Sequence, residues 1–138
     1  MVGIVVVSHS ERAAEGIAEI AAEMAGDTRI EPVGGDGKGG IGTVPDAIET
    51  AIDAAAGGEE EGGEEDGSDA DGVVVLVDLG SAVMNADVAV EMSDAEAVIA
   101  DAPVLEGAVN AAVAATDPSA TVESVREQAE SARDIEKL

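Results

Sequence analysis

The sequence predicts an α/β fold: a doubly wound, mainly parallel four-stranded sheet in the order 2-1-3-4, with helices on both faces. Three observations lead there. Val2 to Val7 and Val73 to Val77 are short, β-branched and almost wholly apolar, the pattern of strands covered on both sides. Strand-like and helix-like segments alternate four times along the chain, which calls for parallel strands joined by right-handed crossovers. The 138 residues suffice for one domain with a modest core and are too few for two.

The elements follow in order. The first strand stops at Ser8-His9-Ser10, and a helix begins at once. Ser8 and Ser10 are both N-cap types, and Ser8-x-x-Glu11 has capping-box spacing. Ile17, Ile20, Ala21 and Met24 recur at one helical face, and Gly26-Asp27 closes the helix with a turn. Thr28 to Val33 reads as the second strand. The glycine-rich stretch Gly34 to Gly42 reads as a flexible loop, and Thr43 to Ala56 as a second helix capped by Thr43. Residues 57–72 hold eight acids and six glycines, a low-complexity composition expected to form a disordered insertion within a single domain of residues 1–138. Val73 to Val77 is the third strand. Ser81 can cap the next helix, in which Met84, Val88 and Met92 share a face; Met84 and Leu79 could help a partner dock, but core packing is the expected use of both. Ala97 to Ala100 makes a short fourth strand. Pro103 suits the first position of a fourth helix, striped by Leu105, Ala108, Val109 and Ala112. Val122, Val125, Ala129 and Ala132 stripe the last helix.

Composition narrows the chemistry. There is no cysteine and one histidine, poor material for zinc or iron, so no metal and no cofactor are expected. Aromatic residues are absent, leaving no ring on which a flavin or a base could stack. With 31 acidic and 6 basic residues the net charge is −25, which repels nucleic acid and anionic membranes. Yet 46% of the residues are apolar and fall in periodic blocks, so the charge does not mean general disorder. An acidic, lysine-poor surface over an Ala/Val core suggests a halophilic, haloarchaeal host, where concentrated salt shortens the Debye length to about 3 Å. No signal peptide is evident, since Met1 lacks a following basic stretch and the apolar run ends after Val7. No apolar run approaches the roughly 20 residues of a membrane span, so a cytoplasmic protein is expected.

In a sheet of order 2-1-3-4, strands one and three are neighbours at the switch point, and chemistry gathers at their carboxyl ends. His9 and Asp78 occupy those ends. A lone histidine can be merely a surface or structural residue, and Asp78 can be merely the cap of the following turn. Placed together, however, a carboxylate fixes an imidazole's tautomer and leaves a neutral nucleophile near pH 7. The start of a helix offers N–H groups to an anion there, and Ser10, Thr43 and Ser81 offer hydroxyls. Phosphate-clamping lysines and arginines are lacking, so the site suits relay of a phosphoryl group between proteins rather than use of ATP. Gly35-x-Gly37-x-x-Gly40 mimics a dinucleotide fingerprint, but it follows the wrong strand and lacks a properly placed acid. Gly37-Lys38-Gly39 lacks the hydroxyl residue of a P-loop.

Four blocks carry a family resemblance: Val5-Val-Val-Ser-His9-Ser, Gly40-Ile-Gly-Thr43, Val77-Asp-Leu-Gly-Ser-Ala-Val-Met-Asn85 and Ala102-Pro-Val-Leu-Glu-Gly-Ala108. In this order they resemble the DhaM family, the phosphotransfer subunits of phosphoenolpyruvate-dependent dihydroxyacetone kinases, related to mannose-class EIIA domains. The resemblance runs from Val2 past Ala115, the acidic insertion excepted. It implies that His9 is phosphorylated by the phosphocarrier HPr and that the group passes to ADP on the partner subunit DhaL, which works with DhaK. It implies further that Asp78 orients His9, that Gly42, Thr43 and Ser81 lie on loops bordering the site, and that the chain forms a homodimer; Ser8 and Ser10 are phosphate-site candidates by their position beside His9. Two alternatives stand beside it: a mannose-class EIIA component of sugar uptake, and a non-catalytic regulatory module on the same fold.

Overall fold

The structure, a computed structural model, describes residues 1–57 and 71–138. Four parallel strands, β1 (Gly3–Ser8), β2 (Ile30–Gly34), β3 (Val73–Val77) and β4 (Ala97–Ile99), lie in the order β2-β1-β3-β4. The expected sheet order is therefore the one observed. Five α-helices connect and cover them: α1 (Glu11–Ala22), α2 (Pro45–Ala55), α3 (Val83–Met92), α4 (Val104–Ala115) and α5 (Val122–Glu130).

Alternation along the two central strands explains the two layers, because successive side chains point to opposite faces. Ile4 and Val6 with Val74 and Leu76 meet alanines of α1 and α4, together with Val122, Val125 and Ala129 of α5. Val5 and Val7 with Val73 and Val75 meet Ile48 and Ile52 of α2 and Ala82, Ala86 and Ala89 around α3. All six residues of β1 are buried, as a strand covered on both faces requires.

The helical faces correct several expectations. The buried side of α1 is Ala14, Ala18 and Ala21, whereas Ile20 and Met24 are exposed. On α3 the buried residues are Ala86 and Ala89, while Met84, Val88 and Met92 share an outward face. Leu79 and Met84 are 57% and 75% exposed, so neither serves the core. With valine and isoleucine filling the strands, the helices approach through alanine, and the larger side chains are left outside. By contrast, Val122, Val125 and Ala129 of α5 are buried as expected, and so is Ala132, in the 3₁₀ turn Ser131–Asp134 that follows it.

The caps also differ. The α1 cap is Ser10, whose hydroxyl accepts from Ala13 N–H at 3.2 Å; Ser8 makes no capping box with Glu11. Helix α2 begins at Pro45 after Val44, with no side-chain cap from Thr43. Before α3 a 3₁₀ turn spans Gly80–Ala82 and follows Leu79 without a side-chain cap, so Ser81 lies inside the turn. Both freed hydroxyls turn up at the site below.

Most of the acidic stretch 57–72 lies outside the described residues. Its end is part of the fold: Asp71 N–H donates to Met1 O at 2.8 Å, its carboxylate accepts the amino terminus at 2.8 Å, and Gly3 N–H donates to Gly72 O at 2.9 Å. No described helix is long and apolar enough to cross a membrane.

Candidate active site at the carboxyl ends of β1 and β3

Parallel pairing sets Val7 of β1 opposite Val77 of β3, so the next residues emerge side by side at one edge of the sheet. Asp78 N–H donates to Val7 O at 3.1 Å and continues the ladder by one step. The Asp78 carboxylate then gathers three donors. Oδ2 accepts the Ser8 hydroxyl at 2.9 Å and His9 N–H at 3.0 Å, and Oδ1 lies 3.0 Å from His9 Nδ1. Ser8 is itself 2% exposed and takes Ser10 N–H on its Oγ at 3.1 Å. Partial burial alone would raise the Asp78 carboxyl; the His9 amide, the ring and the Ser8 hydroxyl outweigh it and hold the group below the usual carboxylate range.

An ionised carboxylate only accepts, so the neighbouring Nδ1 carries the ring proton. In the neutral imidazole Nε2 is then the bare nitrogen, and Ser81 Oγ, 2.9 Å away, donates to it. The His9 and Asp78 side chains are 21% and 19% exposed, so both are mostly covered and each keeps an edge in contact with solvent. Gly80 and Ser81 open the 3₁₀ turn that runs into α3, so their N–H groups have no acceptor within the helix. A cleft of about 420 Å³ continues past Asp78 between Leu79, Val83 and Ile99.

A loop closes the other side. Gly42 N–H donates to His9 O at 2.9 Å. The glycine-rich segment before it is organised by Asp36, whose Oδ1 accepts Lys38 N–H at 2.7 Å and Gly40 N–H at 2.8 Å. Those two amide bonds, set against a small burial penalty, hold the Asp36 carboxyl low. Left-handed φ angles of 82° at Gly37 and 88° at Gly39 let the chain fold back on this carboxylate. Gly34 lies flat on the Ser8–Ser10 backbone, where an added Cβ would fall 2.9 Å from Ser10 O.

Tertiary structure thus brings His9, Asp78, Ser8 and Ser81 into direct contact. Gly42 touches the His9 backbone, Ser10 is engaged in capping, and Thr43 bonds to Asn85 rather than to the ring. Sequence reasoning missed Gly34, Asp36 and Asn85. The legible signal for Asn85 was its place at the end of the Val77–Asn85 block, four residues after Ser81. Among the described residues no group of three or more His, Asp or Glu side chains could hold a metal ion.

Comparison with known proteins bears on the family of the chain. The family described as EIIA-man, PTS system fructose IIA component, matches residues 3–61 and 64–126. The chain is 38% identical to the "PTS-dependent dihydroxyacetone kinase, phosphotransferase subunit DhaM" of Lactococcus lactis subsp. lactis (strain IL1403), over 93% of each chain. It is 37% identical to the "PEP-dependent dihydroxyacetone kinase 1, phosphoryl donor subunit DhaM" of Listeria innocua, over 77% of this chain and 75% of that one. A solved structure described as the unknown-function protein EF1359 superposes with a TM-score of 0.74 at 27% identity, covering 94% of this chain and 92% of the other. Match length and identity together place the chain: it belongs to the EIIA-man family and, within it, to the DhaM subunits.

Proposed function

We propose that the protein is a phosphohistidine relay in which Nε2 of His9 takes a phosphoryl group from HPr and passes it to ADP held on DhaL, which with DhaK phosphorylates dihydroxyacetone. The observation that carries this reading is the pair of ring contacts. Nδ1–H is committed to the ionised Asp78, and Nε2 is left with a lone pair under an exposed, movable Ser81 hydroxyl.

Transfer follows from those contacts. The Ser81 hydroxyl swings off Nε2, whose lone pair attacks phosphorus. The N–P bond to the donor histidine breaks, its electrons staying on the donor ring, while the new Nε2–P bond forms. The His9 ring, still protonated at Nδ1, becomes cationic, and Asp78 stabilises that charge. Phosphoryl oxygens meet the N–H groups of Gly80 and Ser81 and the Ser81 hydroxyl. The second transfer reverses the bond changes, with a terminal phosphate oxygen of ADP as the nucleophile and the proton on Nδ1 unmoved. The scarcity of cations at the site favours release to an acceptor that brings its own metal and basic groups. The relay is proposed to work in the cytoplasm as a homodimer of a halophile, with docking over the exposed apolar residues Leu79 and Met84 beside the site.

The test is labelling with phosphoenolpyruvate, enzyme I and HPr. Wild type should gain an acid-labile, alkali-stable phosphate and His9→Ala should not; labelling that persists in the variant rejects His9. ADP-loaded DhaL should then discharge the labelled protein. Discharge by a sugar permease instead would favour the sugar-uptake alternative, and no labelling at all the regulatory one.

A further inference from the structure

Thr43 and Asn85 form a contact that neither the caps nor the core explains. Asn85 sits in the first turn of α3, four residues after Ser81 of the 3₁₀ turn that leads into it. Its Nδ2 group commits to a single residue, donating to Thr43 Oγ1 at 2.7 Å and to Thr43 O at 3.3 Å. Both bonds are partly buried and join segments 42 residues apart in sequence. Thr43 follows Gly42, whose N–H holds the His9 carbonyl at 2.9 Å. Because α2 starts at Pro45 with no side-chain cap, the Thr43 hydroxyl is released from the role its position would suggest. A hydroxyl that accepts a hydrogen bond from an amide still has one hydrogen to give. Among the described residues no acceptor takes it.

We infer that Asn85 is a positioning residue for phosphoryl transfer: it fixes the Gly42–Thr43 turn over His9 and aims the Thr43 hydroxyl as a second donor, beside Ser81, to the phosphoryl group on Nε2. Asn85 does not touch the reacting atoms; it acts through Thr43. The arrangement suits a site poor in cations, where charge on the transferring group must be met by neutral donors held in place beforehand. This inference rests on the relay reading above and adds the device that orients the loop.

The test is a double-mutant cycle on the full chain: Asn85→Ala, Thr43→Val and the pair combined, with Thr43→Ser as the conservative control. Initial rates of labelling are measured over a range of phosphorylated HPr concentrations to separate kcat from KM. Losing a hydrogen bond to a charged group should lower kcat about tenfold in Asn85→Ala and in Thr43→Val, with KM unchanged. The combined variant should be no slower than Thr43→Val alone, and Thr43→Ser should keep the wild-type rate. Losses that multiply in the combined variant, or that fall on KM alone, would overturn the inference. If Asn85→Ala proves unstable, the threonine pair decides by itself, since equal rates for Thr43→Val and Thr43→Ser would equally overturn it. Wild type labelled normally while all variants match it removes this inference and spares the relay; an unlabelled wild type removes both.

Discussion

Replacing Asp78 with asparagine keeps the shape of the side chain and removes the charge on which the ring depends. Its carboxylate accepts from His9 N–H at 3.0 Å, from the Ser8 hydroxyl at 2.9 Å and from the ring Nδ1–H at 3.0 Å. The backbone N–H cannot reverse its polarity, so an asparagine amide must turn its oxygen toward it and its NH2 toward the ring. Nδ1 then has to accept, the ring proton moves to Nε2, and the attacking lone pair is gone. In the proposed relay the variant also loses the attraction between the carboxylate and a cationic phosphohistidine. Unit charges about 4 Å apart interact by about 4 kcal/mol at an effective dielectric of 20. Both side chains are about one-fifth exposed, which reduces this to about 2 kcal/mol, or roughly thirtyfold in rate, before the tautomer penalty is added. His9 is the only histidine, so ring ¹⁵N shifts report its tautomer without ambiguity. The expected result is an Nδ1–H tautomer in wild type, an Nε2–H tautomer in Asp78→Asn, and labelling slowed thirtyfold or more. An unchanged tautomer with labelling within about threefold of wild type would refute the reasoning.

Three further outcomes are expected. Gly34→Ala drives a Cβ against the Ser8 and Ser10 backbone, which cannot yield without moving His9. It should cost about 1–3 kcal/mol, read as a lower Tm together with slower labelling, and an unchanged Tm would show that the loop can give way. The Asp78 carboxyl titrates below the ordinary 3.8 in the folded chain, so as pH falls the unfolded chain binds this proton first. Its contribution to stability is therefore complete above about pH 4 and lost as pH drops through the folded-state value. Urea unfolding against pH should show a shallower acid limb in Asp78→Asn, with Asp36 and Asp117 keeping part of the slope, and identical limbs would contradict this. With a net charge of −25, the fold should loosen as KCl falls from molar to millimolar, and an invariant circular dichroism spectrum would exclude salt as its support.

The strands, their order and the meeting of His9 with Asp78 were legible because each follows from local pattern. Val2–Val7 and Val73–Val77 could be nothing but central strands, and in a sheet of this order their ends must be neighbours. Helix faces were less legible. The helical spacing of Ile20 with Met24, or of Met84 with Val88, marks a stripe but not which way it points. Here the close approach of alanines decided, leaving the larger residues in solvent. Hydroxyl roles were the least legible. Ser8, Thr43 and Ser81 each stand where a cap is plausible, and each is instead drawn to a partner between 42 and 72 residues away in sequence.

By itself the sequence determined a parallel α/β sheet, a single histidine at the edge where such sheets do chemistry, and the blocks that mark its family. Burial and periodicity act over a few residues and are read directly along the chain. Only the tertiary structure decided that Nδ1 faces Asp78, that Nε2 lies under Ser81, and that Asn85 holds Thr43. Hydrogen bonds of about 3 Å between distant segments depend on how strands and loops settle against one another, and no local spacing encodes that.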